Sequence, residues 1–315
     1  LENKWESIVY TWTSVYEFVR IDSICIPELF IGLNSSLNRC LILELPENNK
    51  VDFQSTVKQN LTIEFYRDTN YIVIQLTGND FKDLFNDLII SLYHRIKSIS
   101  NVDIYSRELI QTFYKWSEFF EDRVTDRLSD NQIKGLLGEL LILRMLVSNT
   151  ESGKIDYVLS SWKGPYDLGH DFVFDEKDIE VKTKDFSKSE IHISSEYQLE
   201  SELDKPLELT VVSVEANFEE GLSIKDLVLS VKDLIMEKLG DSSILLKAIS
   251  QKGLSMKNLS LYDNYKFKPI NQVVYKCTDT FPKLVRSNIP IEVGALKYNL
   301  RTSLLTQFIV DQKDF

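Results

Sequence analysis

Short apolar runs separated by polar connections open the chain. Ile24–Ile31, Arg39–Leu45, Leu61–Tyr66 and Tyr71–Leu76 have the length and the β-branched or aromatic content of strands, and they predict a β-rich first hundred residues. The period then changes. Phe81, Leu84, Phe85, Leu88, Ile89 and Leu92 recur at helical spacing and predict a helix from Phe81 to Ile99, with Asp80 as its N-cap. A second helix is expected from Ile104 to Phe120, its Trp116 and Phe119 read as packing residues. A third, from Asn131 to Val147, has apolar residues on almost every side and should be deeply buried. Gly135 and Gly138 each cost this helix roughly 1 kcal/mol of propensity, which makes sense where it must approach another element closely. Glu139 lies in the same apolar background, either as a salt-bridged residue or as a carboxylate aimed at a polar cluster.

Beyond this helix the pattern predicts a weak strand (Ile155–Ser160), a turn (Trp162-Lys163-Gly164-Pro165), a hairpin, a helix from Ser194 to Ser201 that carries Gln198, and a strand from Leu207 to Val214. Helices over Ser223–Leu239 and Asp241–Lys252 and strands over Tyr265–Cys277 and Ile289–Leu300 follow. From 131 to 215 the order reads α, β, β, β, α, β. The expected organisation is a β-rich N-terminal domain over 1–100 and a second domain over 101–315, with its core at 131–215 and a mixed C-terminal extension.

The hairpin holds the candidate chemistry. His170-Asp171-Phe172-Val173-Phe174 and Ile179-Glu180-Val181-Lys182 place three charged residues among apolar ones, and charges are rarely buried unless paired or binding something. If Asp175–Asp178 forms the turn, Phe174 faces Ile179, Val173 faces Glu180, and Asp171 faces Lys182. Alternation then puts Phe172, Phe174, Ile179 and Val181 on one face and Asp171, Glu180 and Lys182 on the other. Asp171 and Glu180 become diagonal neighbours, roughly 7–8 Å apart, a separation at which two carboxylates can share a divalent cation. The same residues could equally form an ordinary cross-strand ion pair.

Composition narrows this picture. Three scattered cysteines (Cys25, Cys40, Cys277) and three scattered histidines (His94, His170, His192) have no zinc-ligand spacing, and the free thiols suit a reduced cytoplasmic setting. No apolar run of membrane-spanning length and no signal peptide is visible, so no membrane association is expected. A net charge of −12 argues against a protein whose main task is coating nucleic acid. Residues 241–290 are locally basic, with eight Lys/Arg against three acids, which reads as a solvated surface or a phosphate-facing one. Carboxylates without thiolates suit Mg²⁺, with Mn²⁺ as a substitute.

An Asp on one strand and Glu-x-Lys on the next, within an αβββαβ order, resembles the PD-(D/E)XK nuclease superfamily. Five ordered blocks resemble its bacterial DUF4420 branch more closely: Gly135-Leu136-Leu137-Gly138-Glu139-Leu140, Trp162-Lys163-Gly164-Pro165, His170-Asp171-Phe172, Ile179-Glu180-Val181-Lys182-Thr183, and Ile193-Ser194-Ser195-Glu196-Tyr197-Gln198-Leu199. Tyr275 and Phe281-Pro282-Lys283-Leu284 also fit. The likeness covers most of the chain and is strongest from 131 to 200. One departure is His170, where the superfamily's signature has Pro before the Asp.

The resemblance implies a restriction-endonuclease-like α/β (α+β) fold with a mixed sheet, and a Mg²⁺-dependent endodeoxyribonuclease. In it Asp171 and Glu180 are metal-binding carboxylates, Lys182 orients or activates the attacking water, Glu139 is a further metal ligand, and Gln198 is a polar residue beside the site. His170 and Lys184 are candidate phosphate contacts, and Trp162 either stacks on a base or packs the turn. The implied setting is restriction or phage defence, together with other subunits or as a homodimer. DNA is the expected substrate and RNA stays open. The alternative is a catalytically degenerate nuclease fold that binds DNA or scaffolds a defence complex.

Overall fold

The computed structural model describes residues 1–11, 14–47, 53, 55–121, 127–167, 169–202 and 204–315. Its chain divides into two units, Leu1–Val124 and Thr125–Phe315.

The first unit begins with α1 (Glu2–Ser7) and builds an antiparallel sheet from β1 (Tyr16–Arg20), β2 (Glu28–Asn34), β3 (Arg39–Glu44), β4 (Thr56–Val57), β5 (Leu61–Tyr66) and β6 (Tyr71–Leu76). The spatial order is β1-β2-β3-β6-β5-β4. Helices α2 (Lys82–Ile96) and α3 (Val102–Ser117) follow and pack on each other. Their apolar stripes, including Leu88, Leu92, Leu109 and Phe113, are fully buried, as the helical spacing requires. The expected domain boundary after residue 100 falls between α2 and α3, inside this unit. The strand expected at Ile24–Ile31 starts later, because Ile24 and Ile26 are exposed and β2 opens at Glu28. Asp80 lies in the 3-10 turn leading into α2 and not at the helix N-cap.

The second unit starts with α4 (Asp130–Asn149), whose N-terminus is closed by reciprocal hydrogen bonds between Ser129 and Gln132. Then come α5 (Ile155–Ser161), β7 (Phe172–Val173), β8 (Asp178–Asp185), β9 (Glu190–Ile193), β10 (Leu207–Ala216), α6 (Ile224–Glu237), α7 (Ser242–Gln251), β11 (Phe267–Lys276), β12 (Tyr298–Arg301) and β13 (Ile309–Asp314). Five strands form a mixed sheet in the order β13-β11-β10-β8-β7, parallel only between β8 and β10, while β9 and β12 pair separately. By register Glu180 and Lys182 share a face with Leu209 and Val211, which belong to an apolar cluster with Ile191, Tyr275 and Phe281. Val181 and Thr183 point the other way, where α4 packs on β8 and on α6. No helix among the described residues is long and apolar enough to cross a membrane.

Four sequence expectations are corrected here. The segment 155–160 is the helix α5: Ile155, Val158 and Leu159 are buried at helical spacing, while Tyr157, which a strand would place on their side, is exposed. The stretch 194–201 is a series of turns, with the Ser194 N–H bonded to Gln198 Oε1 (2.8 Å); a run this short is helical only where packing supports it, as it does for α5. The core order is therefore α, α, β, β, β, β. The hairpin register is shifted by two residues: Phe172 pairs with Ile179 and Val173 with Asp178, and the turn closes through the Phe174 N–H to Lys177 carbonyl bond (3.0 Å). Asp178 is buried in the strand because Lys205 (2.7 Å) and His170 Nδ1 (3.3 Å) stand beside its carboxylate. Finally, only Tyr298–Arg301 of the expected strand 289–300 is extended in a sheet, and β13 was not foreseen in the sequence.

Candidate active site

An open cleft of about 620 Å³ in the second unit is lined by Glu139, Gly164, Asp171, Glu180, Lys182 and Lys252, among others. Helix α4 supplies Glu139. A Cβ at the preceding Gly138 would overlap Thr183 Oγ1, so the glycine sets how closely α4 can lie against β8. A Cβ at Gly135 would meet nothing, so the close-approach reading holds for Gly138 alone.

The turn 162–167 is zipped onto the approach to β7. Trp162 bridges Phe172, and the Asp171 carbonyl accepts the N–H groups of Lys163 (2.7 Å) and Gly164 (3.1 Å). Trp162 is buried, and its indole N–H donates to Glu139 Oε2 (2.8 Å); the ring is packed within the fold and out of reach of a base. Asp171 Oδ2 accepts the Val181 N–H (2.7 Å), which ties the first carboxylate to β8. The pairing of β7 and β8, continued by one residue, sets Asp171 opposite Glu180 instead of diagonal to it. Lys182 donates to Glu180 Oε1 (2.7 Å).

Gly164 lets two of these carboxylates come close to its backbone and to each other. A Cβ there would stand 2.8 Å from Asp171 Oδ1 and closer still to Glu139 Oε2. The electrostatics of the cluster are unfavourable to negative charge. Desolvation, then the neighbouring Asp171, holds the Glu139 carboxyl well above its ordinary value. Desolvation raises Asp171 too, against the pull of Lys182 and the Val181 N–H. Desolvation and Asp171 push Glu180 up to about 8 even with Lys182 beside it. Crowded, desolvated carboxylates are the donor set that a hard cation satisfies. Among the described residues no three His, Cys, Asp or Glu side chains are grouped closely enough to enclose a metal ion. Glu139 and Asp171, whose oxygens crowd the same position at Gly164, are the pair that could hold a hard cation, with water completing its shell, while Glu180 is engaged by Lys182.

The remaining expected residues divide. Gln198 and Lys184 line the cleft, Gln198 with its amide oxygen held by Ser194 and Lys184 bonded to the Lys188 carbonyl (2.7 Å). His170 is buried against Asp178, away from any phosphate in the cleft. In the basic stretch, Lys252 reaches the cleft, whereas Arg286 is spent on the carbonyls of Ile289, Pro290 and Val293. Sequence reading missed Gly164 and Lys252 as parts of the site. The block Trp162-Lys163-Gly164-Pro165 was a signal for the first, while nothing local marks Lys252.

A mixed sheet with helices, carrying carboxylates and a lysine at its β7–β8 end, is a PD-(D/E)XK-like α+β architecture, a class that suggests a nuclease. The chain belongs to the DUF4420 family: the family model described as "Putative PD-(D/E)XK family member, (DUF4420)" matches residues 1–303. No curated protein and no solved structure matches it.

Proposed function

We propose that the chain is a divalent-metal-dependent endonuclease that hydrolyses DNA phosphodiester bonds with Glu139, Asp171, Glu180 and Lys182, and that it serves in restriction or phage defence. The observation that carries the reading is the convergence of three desolvated carboxylates and a lysine on one open cleft, two of them drawn together against Gly164. A divalent cation held by Glu139 and Asp171 would neutralise the phosphodiester and lower the pKa of water. Trp162 and the Val181 N–H fix those two carboxylates in place. Glu180 keeps the Lys182 ammonium at the cleft, where it can orient water and offset charge developing on the phosphate oxygens. The defence role rests on the resemblance of the blocks from 131 to 200 to that branch.

Purified protein is expected to nick or cut duplex DNA with Mg²⁺ or Mn²⁺. Lys182→Ala should lower the rate by on the order of 10²–10³ while the protein still melts cooperatively. Divalent-metal binding that persists in the Asp171→Ala/Glu180→Ala protein would overturn the site. DNA binding with neither cutting nor metal binding would favour the scaffold alternative.

A further inference from the structure

A second lysine enters the cleft from a distant part of the chain. Lys252 follows the last turn of α7, and its ammonium lies 2.6 Å from Asp167 Oδ1. Asp167 closes the turn that contains Gly164 and takes a left-handed backbone (φ 53°), which is costly for a residue with a Cβ. The two side chains are unequally placed: that of Asp167 is 85% exposed, that of Lys252 only 25%. The pair therefore sits at the cleft mouth with the cation on the inner side.

The charges around the cluster are ordered. Lys252 acts on Glu139 and Asp171, Lys182 acts on Asp171 and Glu180, and both lysines line the same cleft as these carboxylates. An anion entering the cleft could meet both ammonium groups. An exposed aspartate is also a weak holder of a lysine, since such pairs contribute about 0–1 kcal/mol.

We propose that Lys252 is a phosphate-binding residue of this site: on substrate binding its ammonium leaves Asp167 and pairs with a non-bridging phosphate oxygen of the nucleic-acid backbone at the Glu139 end of the cleft. The proposal rests on the nuclease reading. Its rival is a structural one, in which the Lys252–Asp167 pair only staples the turn to α7.

The test is binding of a short labelled DNA duplex with Mg²⁺ across a KCl series, in the Lys182→Ala background to suppress cutting. Lys252→Ala should weaken binding by about tenfold and lower the slope of log K against log salt by about 0.9. Lys252→Arg should keep the slope, and Asp167→Ala, which removes the competitor for the ammonium, should bind as tightly or more tightly. In the cutting-competent protein, Lys252→Ala should raise KM far more than it lowers kcat. Equal losses from Lys252→Ala and Asp167→Ala, or an unchanged salt slope in a folded Lys252→Ala protein, would overturn the proposal. If the unsubstituted protein neither binds nor cuts the duplex, the nuclease reading falls and takes this one with it. If it does both and Lys252→Ala behaves identically, only the role of Lys252 falls.

Discussion

Gly138 shows how a residue with no side chain decides where a charged one goes. Its missing Cβ lets α4 lie against Thr183, and this brings Glu139, one position along, into the cleft. Gly138→Ala should destabilise the protein by about 1–3 kcal/mol net, because overpacking against a stiff β-branched side chain outweighs the gain in helix propensity. Adding Thr183→Ala should return most of that loss, measured by urea unfolding of the single and double variants; a loss indifferent to residue 183 would contradict the contact. The charged members of the site were legible in the sequence because each stands out against apolar neighbours. Gly164 is marked only by the block it shares with Trp162, and Lys252 is not marked at all, since a long-range approach leaves no trace in the local pattern.

At the scale of elements, the hairpin shows why a register off by two residues leaves the same three charged side chains together. A shift of two residues preserves which side chains share a face, so Asp171, Glu180 and Lys182 stayed together although their pairing changed. The error came from reading Asp178 as part of a polar turn, when Lys205 and His170, one distant and one across the hairpin, allow it to be buried. Lys205 lies close to Asp178 Oδ1 but off the hydrogen-bonding direction, so the attraction is mainly one of charge. Lys205→Ala would leave a carboxylate buried with only His170 beside it and should cost roughly 3 kcal/mol. Lys205→Ala combined with Asp178→Asn should recover part of that. A change under about 0.5 kcal/mol in the single variant would mean that Asp178 does not need its partner. Helix α5 and the turns at 194–201 differ from the sequence expectation for a simpler reason: runs of about eight residues or fewer carry too little periodicity to separate helix, strand and turn.

For the whole molecule, the net charge of −12 repels a nucleic acid at long range, so any affinity must come from local groups such as the cleft lysines. Inside the cleft three carboxylates are crowded and desolvated, and this links stability to pH. Glu180 is pushed up to about 8 in the folded chain, and Glu139 and Asp171 are raised as well. The folded state thus keeps protons that the unfolded chain has released above the ordinary carboxylate range. The stability this contributes is complete below that range and is lost as pH rises through about 8. A bound divalent ion favours the ionised carboxylates and opposes the loss. The rise in Tm on adding Mg²⁺ or Mn²⁺ should therefore be larger at about pH 8 than at about pH 6, with proton release on binding. A rise that is flat or shrinks with pH would contradict the cluster's role.

Trp162 gives that titration its own lamp. Its buried indole is bonded to Glu139, so a cation that draws the carboxylate toward itself changes the polarity and hydrogen bonding felt by the excited ring. The chain has four tryptophans, and one of them is wired directly to the proposed ligand set. Intrinsic emission, compared between the parent protein and Trp162→Phe, makes metal occupancy visible without substrate, label or turnover.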